Sequence, residues 1–120
     1  MPVSKEYLEY VLDQLECIGP VVSKRMFGGI GLYSDGLFFG LIDDDILYFK
    51  VDDATRPGYL KAKANPFDPY GDGNGSMSYY SVPVEVLEDT DELKVWARAS
   101  VEAARRKAAN RKPRAPRKKR

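Results

Sequence analysis

Histidine is absent from the 120 residues, which removes the commonest general base and the commonest metal ligand together. Cysteine occurs once, as Cys17. No internal disulfide is then possible, which fits a reducing compartment, and without histidine the usual zinc ligand sets cannot be assembled. Most triad chemistry is lost as well. Only Asp, Glu, Lys and Tyr are left to act, and none of them forms a pairing visible along the chain, so an enzyme is not expected. Long apolar runs are missing too. The longest, Leu37 to Ile42, is strand-sized against the ~20 residues a membrane span needs, and no apolar signal core follows Met1–Glu6. These absences describe a soluble cytoplasmic protein with no cofactor, no metal and no membrane contact.

What is present is unevenly distributed. The formal net charge is only +1, but Arg105, Arg106, Lys107, Arg111, Lys112, Arg114, Arg117, Lys118, Lys119 and Arg120 put ten cations and no acid into the last sixteen residues. Taking these ten from the 19 basic residues leaves nine in residues 1–104, against all 18 acids. The body is therefore near −9 and the tail near +10, and the mean describes neither.

Periodicity assigns the elements. Ser4 can cap a helix in which Tyr7, Leu8, Val11, Leu12, Leu15 and Ile18 recur at helical spacing, with Gly19-Pro20 as the stop; it is expected over about residues 4–18. Strands follow at Val21–Phe27, Ile30–Ser34, Leu37–Ile42 and Ile46–Val51. Asp35-Gly36 is a strong hairpin signal, and Asp43-Asp44-Asp45 makes the next turn. Leu37–Ile42 is apolar on both faces and so suits a central strand. A short helix is expected around Tyr59–Lys63, a loop over Asn65–Ser76, a further strand over Met77–Val82 and a helical turn from Pro83 to Leu87. Asp89 and Glu92 have capping-box spacing before a last helix with Leu93, Trp96, Ala97, Ser100, Val101 and Ala104 on one face, continuing to about Ala109. Pro113 and Pro116 forbid helix beyond that. The fold class is a two-layer α+β domain over residues 1–104, an antiparallel meander packed against N- and C-terminal helices. Residues 105–120 form a basic, largely disordered tail.

Four features invite a functional reading. Gly28-Gly29-Ile30-Gly31 lacks the full phosphate-binding fingerprint and is better explained as a β-bulge or a bend where a Cβ would not fit. Asp43-Asp44-Asp45 offers carboxylates to a cation, but adjacent turn residues rarely converge on one ion, so a solvated turn is the better account. The stretch Asp68–Ser76 fails calcium-loop spacing in every register; a partner or small ligand could order it, with Tyr70, Tyr79 and Tyr80 as contacts and a pocket lined by Phe27, Phe67, Tyr79 and Tyr80. The tail can reach ~50 Å and cover several phosphates, five of them implying a salt slope of about −4 to −5 on duplex DNA. It can equally be a solubilising extension, or fold back on the acidic body. Nothing in it reads base sequence. A further alternative is self-association through the small residues Ala97, Ala104 and Ala108.

Several motifs stand in close order: Arg25-Met26-Phe27-Gly28-Gly29, Gly31-Leu32-Tyr33, Asp35-Gly36, Phe39-Gly40-Leu41-Ile42, Leu47-Tyr48-Phe49-Lys50-Val51-Asp52, Met77-Ser78-Tyr79-Tyr80-Ser81-Val82-Pro83, then Leu87, Asp89, Leu93 and Trp96. Together they resemble the N-terminal domain of the TfoX (Sxy) family of bacterial competence regulators across nearly all of residues 5–104. The resemblance implies an antiparallel sheet with helices packed on it, a bacterial protein tied to transcriptional control, and no enzymatic activity; the leading reading adds a protein partner from the transcription machinery docked on the acidic body. The family's namesake carries a second, helical domain after this one, where this chain carries the basic tail.

Overall fold

Two hairpins close on the tightest turns available to a twisted sheet. At Asp35-Gly36 and at Asp44-Asp45 both central residues have positive φ, 55° and 78° in the first and 54° and 55° in the second. This is the primed turn whose twist matches the strands it joins. In the computed structural model, which describes residues 3–26, 29–68 and 76–111, with side chains from 78 to 109 in the last stretch, these turns link β2 (Gly29–Ser34), β3 (Leu37–Asp43) and β4 (Ile46–Lys50). β1 (Val22–Met26) lies outside β2. On the other side β6 (Ser76–Ser81) pairs with β4, and β5 (Pro66–Phe67) covers β6. The result is one six-stranded antiparallel sheet in the order β1-β2-β3-β4-β6-β5. The expected two-layer α+β architecture is the one observed, with Leu37–Ile42 in a central strand.

α1 (Lys5–Leu15) begins at Ser4, whose hydroxyl accepts from the Tyr7 amide at 3.1 Å. The Ser4 amide donates in turn to the Asp45 carboxylate at 2.8 Å, so the aspartate turn anchors the start of the helix. A 3-10 turn over Glu16–Ile18 carries the half-buried Cys17. α2 (Arg56–Lys61) ends in a Schellman closure, Ala64 N–H to Tyr59 C=O and Lys63 N–H to Leu60 C=O, with Lys63 at φ 61°. After α3 (Val84–Leu87), the Asp89 carboxylate caps α4 (Thr90–Arg111) by accepting from the Asp91 and Glu92 amides.

The core lies between one face of the sheet and the helices. Ile30, Leu32, Phe39, Ile42, Leu47, Phe49 and Tyr80 meet Val11, Leu15, Tyr59, Leu93, Ala97 and Val101. Ala97 and Ala104 are buried here, so that part of the small-residue face packs inside the domain rather than being open to a second copy.

Of the two accounts of Gly28-Gly29-Ile30-Gly31, a bulge or a place where a Cβ would not fit, the second holds at Gly29, while Gly28 lies outside the described residues. β1 and β2 pair without a shift from Val22↔Tyr33 to Met26↔Gly29. The β2–β3 register instead jumps from Leu32↔Gly40 to Tyr33↔Phe38, leaving Phe39 as the extra residue. What constrains Gly29 is close approach, for a Cβ there would sit 2.6 Å from the Ile42 carbonyl oxygen. Because of the bulge, Phe39 turns into the core against Phe49 at 5.8 Å. Phe38 turns the other way to join Tyr33. The β3–β4 ladder stops at Gly40↔Phe49, and Lys50 lies beyond its last pair.

Candidate functional site

Successive residues of a strand point to opposite sides of the sheet, and this divides the aromatic residues singled out from the sequence. Tyr80 is in the core, with its ring 5.9 Å from that of Tyr59. Tyr79 faces the other side, where Phe38 lies 5.6 Å from it. Phe67 is half-buried and meets Tyr48 edge-on at 4.9 Å. Phe27 and Tyr70 lie outside the described residues. The structure therefore does not bring Tyr79 and Tyr80 to one pocket.

On the face away from the core an aromatic row runs across three strands. Tyr33 and Phe38 stack at 5.2 Å, Phe38 and Tyr79 follow at 5.6 Å, and a lysine stands at each end: Lys24 is 5.3 Å from the Tyr33 centroid and Lys50 is 4.8 Å from that of Tyr79. The Lys50 ammonium also donates to the Tyr79 hydroxyl at 3.4 Å. Burial pushes the Tyr79 phenol up to about 12, with the neighbouring Tyr33 acting in the same direction. At neutral pH it is a neutral hydroxyl beside a cation. Lys50 itself is only 8% exposed, uncommon for a charged side chain.

Lys50 lines two open grooves between the ends of β4 and β6 and the C-terminal half of α4. The first, about 660 Å³, includes Asp52, Arg56, Ser78, Arg106 and Lys107. The second, about 460 Å³, includes Phe38, Ser78, Tyr79 and Lys107. Lys50, Ser78 and Lys107 belong to both. Period two along Ile46–Val51 says of Lys50 only that it lies on the side opposite Leu47, Phe49 and Val51. Around it stand the Tyr79 ring and, in the walls of the same grooves, residues of the C-terminal half of α4, neighbours distant in sequence that leave no local signal.

α4 also settles where the first tail cations go. It is 22 residues long, or about 33 Å at ~1.5 Å per residue. Asp91 and Glu92 stand in its first turn, and Arg105, Arg106, Lys107 and Arg111 follow in its last turns. Arg106 reaches across to Asp52, its Nε at 2.8 Å and a terminal nitrogen at 2.7 Å from the same carboxylate oxygen. Burial pulls the Asp52 carboxyl upward, but the hydrogen bond and charge of Arg106, together with the Thr55 amide and hydroxyl, outweigh it and hold the group below the usual carboxylate range. Arg105 lies 3.4 Å from Glu102 on its own helix. Lys107 is exposed. Lys112, Arg114, Arg117, Lys118, Lys119 and Arg120 lie outside the described residues, as does the side chain of Arg111.

Among the described residues no three Asp, Glu or Cys side chains gather closely enough to hold a metal ion, and no helix is long and apolar enough to cross a membrane. Compared with known families, residues 13–104 match the model of the TfoX N-terminal domain. The match ends one residue before the basic segment begins. No curated protein matches the chain.

Proposed function

The chain belongs to the TfoX N-terminal domain family, and from that premise we propose that it works as a non-enzymatic regulatory module in transcriptional control of the competence type. Its acidic body docks a protein partner of the transcription machinery, and its basic C-terminal segment attracts nucleic acid without reading base sequence. The observation that carries this reading is the polarity of α4, whose acidic first turn belongs to the body and whose basic last turns lead into Lys112–Arg120. A cationic segment on an anionic body raises the rate of encounter with nucleic acid more than it confers specificity, which leaves selection to the protein contact. Within the segment Arg106 and Arg105 already face Asp52 and Glu102. Lys107 and the run from Arg111 onward then carry most of the attraction.

The test uses a chain ending at Arg111, which keeps α4 and the Arg106–Asp52 pair but removes six of the ten cations. With about five phosphates engaged, the full chain should lose duplex DNA with a log–log salt slope of about −4 to −5. The shortened chain should show a slope of about −1 to −2 and bind only at low salt. Equal affinity and slope for the two would remove the segment from the mechanism. An interaction partner captured equally by both would support the division of labour between body and arm.

A further inference from the structure

The sheet ends on two unlike edges. Outside β6 lies β5, only two residues long and opened by Pro66, and a short strand with proline offers little backbone to a newcomer. On the opposite side β1 is outermost in the strand order. One of its flanks is taken by β2, from Val22↔Tyr33 to Met26↔Gly29, and among the described residues no strand pairs with the other. An edge of this kind presents a row of backbone donors and acceptors to any extended segment that comes alongside. The side chains along it are open as well: Val22 is 57% exposed, and Lys24 and Arg25 are exposed. Period two sends Lys24 to the same side as Val22 and Met26, with its ammonium 5.3 Å from the Tyr33 ring centroid, and Arg25 to the opposite side. Both faces of the edge therefore carry a cation. Between Glu16 and Asp35 the chain has no acid, and β2 has no charged residue. This border is locally cationic in a body with twice as many acids as bases.

We propose that the outer edge of β1 takes up an extended acidic segment of a partner protein as a seventh strand, antiparallel like the rest of the sheet. The segment's backbone pairs with that of Val22–Met26. One acidic residue stands opposite Lys24 and its neighbour opposite Arg25, while apolar residues stand opposite Met26 and Val22 on the Lys24 side. A second copy of this chain fits less well, because antiparallel pairing of β1 with itself, centred on Lys24 or between Lys24 and Arg25, sets cation against cation. Nucleic acid would use the two charges but leave the backbone row unpaired. The net negative charge of the body is screened beyond ~8 Å at about 0.15 M salt, which leaves the two local cations to face the segment. The proposal rests on the reading of the body as a docking module and gives that docking a place; Lys112–Arg120 take no part in it.

The test titrates the isotope-labelled full chain with the synthetic peptide Thr-Val-Glu-Glu-Thr-Val-Thr, blocked at both ends, and follows the backbone amides by NMR at about 0.15 M salt. Saturable shifts should centre on Val22–Met26 and β2, and at ten times the Kd hydrogen exchange of the outward β1 amides should slow about tenfold. The same peptide with lysine in place of both glutamates should bind about tenfold more weakly. A glutamate peptide N-methylated on the amides that face β1 keeps its charge, loses the pairing and should not bind. Lys24→Glu combined with Arg25→Glu, both at exposed positions, should exchange the preferences, and capture of the lysine peptide would show in the same measurement that the variant is folded. Should it not fold, Arg25→Gln decides, with a Kd for the glutamate peptide raised about threefold. The assignment is overturned by any of these results: no saturable shift on β1, equal binding of the N-methylated peptide, shifts confined to Lys112–Arg120, or an unchanged preference in the folded double variant. Equal β1 shifts from a single-stranded oligonucleotide, or dimerisation of the free chain through the same amides, would give the edge to nucleic acid or to a second copy and overturn it too. Failure of the basic segment to bind DNA would leave it untouched, since that is read from the salt slope alone.

Discussion

Asp52→Asn perturbs an ion pair that joins the end of the sheet to the basic end of α4. Arg106 donates twice to Oδ2 of Asp52, at 2.8 and 2.7 Å. Oδ1 accepts from the Ala54 and Thr55 amides at 3.1 and 3.2 Å. Asparagine can keep the second set and lose the first. The pair is open to solvent, with the Arg106 side chain 49% and that of Asp52 30% exposed, so screening limits it to about 0.2–1 kcal/mol. Its pH dependence has a definite sign. The Asp52 carboxyl is held below its ordinary value in the folded protein, so folding favours the ionised form. The contribution is complete above the unfolded value, near 3.9, and is lost as pH falls through the lower folded value. Urea denaturation should therefore place the variant about 0.5 kcal/mol below wild type at pH 7, with the gap closing as pH drops below about 4. Arg106, released, becomes available to phosphate, and the salt slope on duplex DNA should steepen by about 0.9. Equal stability at pH 7, or a gap that persists unchanged at pH 2–3, would refute the account of the pair. An unaltered salt slope would refute the claim that Asp52 withholds Arg106 from nucleic acid.

Two substitutions test the fold directly. Gly29→Ala sets a Cβ 2.6 Å from the Ile42 carbonyl oxygen, and since that neighbour is backbone the two strands must part; chemical denaturation should show a loss of about 1–3 kcal/mol. Lys63→Gly relieves a left-handed backbone, φ 61°, at the end of α2, and should raise the thermal midpoint with a gain of about 0.5–1 kcal/mol; an unchanged midpoint would mean that the Schellman closure is not under strain.

Legibility from the sequence followed the range of the interaction. Ser4, Asp89, Asp35-Gly36 and Pro83 act within a few residues, and the elements they start or join stand where spacing placed them. The outward and inward sides of β4, with Leu47, Phe49 and Val51 buried, follow from period two. Within the candidate site the tail cations were visible as composition. The grooves were not, because Lys50 and Lys107 are 57 positions apart in the numbering and meet only when β6 and α4 both lie beside the end of β4. Tyr79 and Tyr80 were grouped by adjacency, although the strand period sends them to opposite faces.

By itself the order of residues determined the α+β class, the family, the meander of β1 to β4 and the separation of an acidic body from a basic end, since all of these rest on local hydrogen bonding, apolar period and composition. Tertiary structure decided where the bulge falls, that β6 pairs with β4 inside β5, that Lys50 is buried between strand and helix, and that Arg106 meets Asp52. Each of these depends on which surfaces close on one another once chain segments far apart in sequence share a core, and packing of that kind leaves no mark within the reach of a turn or a helical repeat.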